Sequence, residues 1–130
     1  MGSLLLFNGQ PAEGRNYILT AMRLSPRDPR SGHFLNQIAV SYYYERNYAG
    51  AAEAARRTIG RYPEHPMPYR WLAAALGQLA QAEAAREALQ GAMSISPKVF
   101  DLFVRNRVPW HRPEDYEHML DGLRKAGWRG

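Results

Sequence analysis

The stretch YRWLAAALGQLAQAEAAREALQGAMSISP, Tyr69 to Pro97, follows LNQIAVSYYYERNYAGAAEAARRTIGRYP, Leu35 to Pro63, at an offset of 34 residues. Residue types recur at matching places. Tyr69, Leu72, Ala73, Leu76, Ala85, Leu89 and Ala92 in one copy answer to Leu35, Ile38, Ala39, Tyr42, Ala51, Ala55 and Thr58 in the other. Spacings of three and four put the first four of each set on one stripe of a helix. The small residues Ala39, Ala51, Ala73 and Ala85 let a second, antiparallel helix approach closely. A hairpin of this kind leaves one apolar face uncovered and the next hairpin covers it, so the period predicts stacked helix pairs.

Working outward, an incomplete copy precedes Pro26, with Ala21, Ile18, Gly14 and Leu5 at the same offsets and the start of its first helix falling before Met1. Pro26 and Pro63 are 37 residues apart, so Arg27-Asp28-Pro29 reads as a three-residue insertion between copies. On the other side, Ser96 as cap and Pro97 in the first turn open a short helix carrying Phe100, Phe103 and Val104, predicted to stop near Val108-Pro109. Pro113 then opens a last helix with Tyr116, Met119, Leu120 and Leu123 on one face, ended by Gly127. Glu114 and Asp115 in its first turn and Arg124 and Lys125 in its last suit the helix dipole. Terminal units of an array are atypical because one face meets water, and this helix is expected to be the cap.

The pattern resembles the tetratricopeptide repeat: a large residue, Leu and a small residue, an aromatic, then Ala, a large residue and Pro. The resemblance implies an all-α, right-handed superhelix of stacked antiparallel hairpins with a C-terminal capping helix. It would be one domain over 1–130, with a partial repeat at 1–26, repeats at 32–65 and 66–99, and an atypical terminal hairpin at 98–127. The run RVPWHRPEDYEHMLDGLRKAGW at the C-terminal end, with AMRLSPRDP at Ala21 to Pro29, is similar to the repeat tail that follows the catalytic domain of bacterial adenylate/guanylate cyclase-type signalling proteins. Pro109-Trp110, Arg112-Pro113-Glu114-Asp115 and Gly122 to Gly127 carry that similarity. It implies a regulatory or interaction segment, with any cyclase domain lying outside these residues.

Composition narrows the chemistry. The 130 residues, 45% of them apolar and 22% charged, fit one globular domain. Without cysteine there is no disulfide scaffold, no thiolate zinc site and no thiol nucleophile. The run Leu4 to Phe7 is too short for a signal peptide and Trp71 to Leu76 too short for a membrane span. A Met1-Gly2 start lacks the Ser or Thr that myristoylation wants at Leu6. A cytoplasmic chain is expected, cut from something longer, since the apolar start has no cap. If Leu4 to Phe7 are left unpaired, self-association through that open end follows.

The net charge of +5 comes from 15 arginines and two lysines against 12 acids, and it is spread: +4 over Met1 to Pro63, −1 over Glu64 to Pro97, +2 over Lys98 to Gly130. Nucleic acid binding needs a cationic stripe that tracks phosphates, and acids interrupt this one, so nucleic acid is not the expected partner. Among His33, His65, His111 and His118 no HExxH spacing occurs, and no phosphate loop or nucleophile elbow is present. Glu114, His118 and Asp121 lie one turn apart and read as a solvated ion-pair stripe, not as a metal site. No catalytic residue, metal or cofactor is implied.

The expected site is a polypeptide groove. In tetratricopeptide proteins the first helices of successive hairpins line a concave surface. Residues just off the packing stripe would reach it: His33, Asn36, Gln37, Val40, Tyr43 and Tyr44 from one helix, and Met67, Arg70, Trp71, Ala74 and Gln78 from the next. Asn and Arg can fix a peptide backbone or carboxylate, while Tyr, Trp and Met supply adaptable apolar contact. Alternatively, Tyr43, Tyr44 and Trp71 pack against further repeats or a domain outside these residues. The leading expectation is a protein-interaction module that holds a peptide or protein. The other is a segment regulating a nucleotide cyclase in cis.

Overall fold

Proline and tight turns divide the chain into helices of similar length. A computed structural model describes residues 9–105 and 112–129, and in these it forms seven helices and no strand. They are α1 (Pro11–Leu24), α2 (Ser31–Tyr44), α3 (Tyr48–Arg61), α4 (Met67–Gln78), α5 (Ala82–Ile95), α6 (Pro97–Arg105) and α7 (Pro113–Lys125). The helix starts are marked by side chains suited to them. Asn47 caps α3 by accepting from the Gly50 N–H at 3.0 Å, Ser96 Oγ accepts from Val99 N–H at α6, and Pro lies in the first turn of α1, α4 and α7.

The 34-residue offset is reproduced in the backbone. Arg46 and Ala80, 34 apart, both adopt left-handed conformations with φ of 63° and 60°. Each ends its helix in the same pair of bonds: Asn47 N–H to Tyr42 C=O at 2.9 Å and Arg46 N–H to Tyr43 C=O, against Gln81 N–H to Leu76 C=O at 3.0 Å and Ala80 N–H to Gly77 C=O. The turn then sends α3 back along α2 and α5 back along α4. The close approach predicted at small residues is realised, since Ala39, Ala51, Ala73 and Ala85 are all fully buried. Two clefts repeat as well. One is lined by Leu35, Ile38 and Tyr42 with Glu53 and Ala54, the other by their 34-residue equivalents Tyr69, Leu72 and Leu76 with Glu87 and Ala88.

Packing is consistent with a helical repeat: α1 on α2, α2 on α3, α3 on α4, α4 on α5 and α5 on α6. One core runs from Ala39 on α2 to Ala126 beyond α7, and a smaller cluster joins Ile18 of α1 to Ile38. Gly14 and Ile18, expected to face inward in the incomplete copy, are buried. No helix among the described residues is long and apolar enough to cross a membrane. Leu4 to Phe7, Val108-Pro109, Trp110 and His111 lie outside the described residues, and with them the expected self-association end and the stop of the α6 pattern.

The last helix departs from simple stacking. It begins at Pro113 with Glu114 and Asp115 in the first turn and ends with Arg124 and Lys125, as expected. Its packing partner is α4, and through Tyr43 it also reaches α2. Gly122 meets Ala74 and Lys125 meets Gly77, so α7 runs in the same direction as α4. Burial drives this placement: Met119 and Leu123 are fully buried and Leu120 nearly so, each contributing roughly 1.5–3 kcal/mol of apolar transfer free energy.

Candidate functional site

The face made by α2 and α4 divides in two. At its C-terminal half, Tyr43, Ala74 and Gln78 are covered by α7, and the buried Trp71 packs edge-on to Tyr43. The surface expected to lie open is therefore filled there by the chain's own helix. At the N-terminal half, Asn36, Gln37 and Arg70 are almost wholly buried, at 4% exposure each, instead of lining an accessible trough. Val40 is buried in the core. Met67 borders a small cavity with Arg70, Ala92, Val99 and Phe100, so it meets α5 and α6. His33 is exposed on α2, with its ring 6.4 Å from that of Phe34.

Tyr43 organises the covered half. Its ring is fully buried, stacked on His118 at 4.3 Å and edge-on to Trp71 and Tyr48 at 5.4 and 5.3 Å. Its hydroxyl donates to the His118 carbonyl at 2.5 Å. That carbonyl is also the intrahelical acceptor for residue 122, so the tyrosine adds a bond at a helical step of α7. Burial pushes the phenol well above its ordinary range, and it serves as a neutral donor. Tyr44 also stands edge-on to Trp71, at 5.8 Å, its hydroxyl likewise raised by burial. Tyr42 turns the other way, under the Arg15 guanidinium of α1 at 4.3 Å.

Close approach of α7 depends on glycine on both sides. A Cβ on Gly122 would overlap the Tyr43 hydroxyl and lie 2.7 Å from the Ala74 carbonyl oxygen. One on Gly77 would overlap the Gly122 carbonyl oxygen and lie 3.0 Å from the Ala126 nitrogen. Around this seat runs a polar rim. Gln78 Nε2 donates to Asp121 Oδ2 at 3.0 Å, and Lys125 Nζ donates to Gln78 Oε1 at 2.9 Å and pairs with Asp121 at 3.0 Å. Lys125 first, then Gln78, holds the Asp121 carboxyl below its usual range.

His118 is turned inward. The expected solvated stripe with Glu114 and Asp121 is replaced by a hydrogen bond of 2.7 Å between His118 Nε2 and the Tyr48 hydroxyl, while Glu114 pairs with Arg112. Burial, with Arg46 and Lys125 adding to it against Asp121, lowers the imidazole to about 4. It is neutral at pH 7. At the buried N-terminal half, burial likewise lowers the Arg70 guanidinium to about 10 and raises the Asp115 carboxyl. Among the described residues, no group of three His, Cys, Asp or Glu side chains could hold a metal ion.

The sequence reading missed Gly77, Tyr48 and the seating of α7 on α4. A signal for Gly77 was present. It stands 34 residues after Tyr43, so one copy places its largest buried ring where the other has no side chain. No family model matches the chain, and no curated protein matches it.

Proposed function

We propose that this chain is a tetratricopeptide-type interaction module that holds a segment of another polypeptide on the face of α2 and α4, without catalysis. The observation that carries this reading is that the face already holds a polypeptide helix. Tyr43 bonds a carbonyl of that helix, Ala74 and Gly77 admit its backbone closely, and Gln78 contacts its side chains. Aromatic anchors surrounded by a polar rim are the usual anatomy of a protein-binding surface. The matching turns at Arg46 and Ala80 support the repeat reading.

Asn36 and Arg70 are too deeply buried to serve as test positions, since changing them alters the core. The better test is affinity capture from bacterial extract with the full chain, comparing wild type with Gly122→Val, whose side chain would overlap Tyr43 and Ala74 and is chosen to push α7 off the face. A polypeptide retained by the variant and lost again on adding Gln78→Ala supports the module. Identical background from all three overturns it.

Occupation of the face in cis favours a second reading, that the module regulates a nucleotide-cyclase-type protein of which it forms part. Gly122→Val in such a parent would then change cyclase output with no partner added.

A further inference from the structure

We infer that the edge of the stack where α1, α3 and α5 end docks on an anionic lipid surface, with headgroup phosphates on its arginines and Leu24 and Ile95 inserted shallowly. The inference stands apart from the α2–α4 face and uses none of its residues. The three helices end in step. Leu24, Arg61 and Ile95 are their last residues, 37 and 34 positions apart, which are the offsets that align the copies. Stacking sets such equivalent residues side by side along one edge. The turns that follow them are neighbours: a Cβ on Gly32 would lie 3.4 Å from the Tyr62 ring, and Pro66 and Met67 border one small cavity with Val99.

Several side chains of this edge do nothing for the fold. Leu24 is 80% exposed, and Met93 and Ile95 are exposed at the end of α5. Arg23, Arg27, Arg61 and Lys98 are exposed beside them, and none pairs with an acid among the described residues. Arg23 and Arg61 suit the last turns of their helices, but Lys98 stands in the first turn of α6, where the helix dipole disfavours a cation. The acids in these turns are Asp28, taken by Arg30 at 2.8 Å, and Glu64. At the start of α7, on the α2–α4 side, Arg112 pairs with Glu114 and Asp115. The opposite edge is the contrast. Its turns at 45–47 and 79–81 carry none of the exposed large apolar residues, and its cations are engaged, Arg15 by Glu45, Lys125 by Asp121 and Arg46 by the Tyr48 hydroxyl. An anionic lipid surface uses both features of the first edge at once, since cations meet its headgroups while apolar side chains enter the acyl boundary. A nucleic acid would use the arginines and leave Leu24 in water.

The test is sedimentation of the full chain with vesicles of phosphatidylcholine alone, or of phosphatidylcholine and phosphatidylglycerol in equal parts. Binding to the mixed vesicles and little to the neutral ones is expected, with affinity falling as salt rises. Arg23→Gln with Arg27→Gln should weaken that binding about thirtyfold, and Leu24→Ser about tenfold. All three side chains are exposed, so the variants should keep the wild-type helicity by circular dichroism. Arg46→Gln, at the opposite edge, should bind as wild type does. No binding to the mixed vesicles, equal binding to both compositions, or undiminished binding by the Leu24 and double arginine variants overturns the proposal. Duplex DNA bound as tightly as the mixed vesicles, and equally well by Leu24→Ser, makes the edge a surface for polyanions in general and overturns it too.

Discussion

The hairpins α2–α3 and α4–α5 share a backbone and differ in what they do with it. Their turns superimpose in hydrogen bonding and in φ, and their inner alanines are equally buried. On the face toward α7 the equivalence ends: Tyr43 answers to Gly77, Val40 to Ala74 and Tyr44 to Gln78. The first copy supplies a ring that fills space and bonds the incoming backbone. The second removes side chains so that the same backbone can approach. A repeat whose copies were alike on this face would hold α7 too far from one helix or clash with it at the other. Conservation of the hairpin's inner face and divergence of the outer one thus create an asymmetric seat from a symmetric scaffold.

Removing the ring should produce the largest effect. Tyr43→Ala empties a fully buried site shared by α2, α4 and α7, and is expected to cost about 3–5 kcal/mol in urea unfolding, in the range of buried aromatic truncations. Tyr43→Phe keeps the packing and loses the bond to the His118 carbonyl, at about 0.5–1.5 kcal/mol. Equal losses for the two variants would mean that the hydroxyl, not the ring, holds the seat.

The opposite change at the equivalent position comes next. On helix propensity alone Gly77→Ala should stabilise α4, by up to about 1 kcal/mol. Here the added methyl meets the Gly122 carbonyl oxygen, so a loss of about 1–3 kcal/mol is expected instead. Gly60→Ala in α3, where a Cβ meets nothing within 4 Å, is the control and should show the propensity gain. The sign at Gly77 relative to Gly60 is the measurement, and a gain at both would mean α7 does not sit closely on α4.

Smaller still is a change in what the copies share. Ala80 pays for a left-handed φ of 60° that glycine adopts freely, and Gly127 already occupies the corresponding turn after α7, with Trp128 N–H bonding Leu123 C=O at 2.9 Å. Ala80→Gly should therefore raise stability by about 0.5–1 kcal/mol in thermal unfolding. No change, or a loss, would show that the turn tolerates its conformation without strain.

These contrasts also explain how far the sequence could be read. Helix existence was legible because Pro63 and Pro97 align two copies whose apolar positions repeat at helical spacing, and Ile18, Ala39, Ala73 and Leu89 are buried as that alignment requires. Tyr43, Trp71, Ala74 and Gln78 were legible as a shared face for the same reason. What covers them was not, because periodicity within a helix says which side is apolar and nothing about which neighbour meets it. The apolar side of α7 could have closed the end of the stack; Gly77 and Gly122 decide otherwise, through a clash that only three-dimensional proximity reveals. Asn36 and Arg70 misled for a related reason. Polar residues at repeat-equivalent positions read as ligand contacts, whereas both are enclosed by packing.

The smallest effect at neutral pH belongs to His118, and it grows in acid. Its folded-state value of about 4 lies below the ordinary 6.5, so the neutral ring contributes stability that is fully present above pH 6.5 and is lost as pH falls through 4. The groups facing it set that direction. Tyr43 and Tyr48 enclose the ring, Arg46 and Lys125 oppose a second positive charge, and Asp121 only partly offsets them. His118→Phe retains the stack on Tyr43 and removes the titration. At pH 7 it should cost about 1 kcal/mol or less, for the lost bond to Tyr48. Between pH 6.5 and 4 its melting temperature should fall less steeply than that of wild type, the remaining slope coming from His33 and His65, which burial also lowers, and near pH 4 from the lowered carboxyls of Glu114 and Asp121. The difference between the two pH profiles isolates His118, and since its ring lies between α7 and Tyr43, it reports protonation at the seat itself. Parallel profiles would mean the ring is free to charge in place, against its enclosure by Tyr43 and Tyr48.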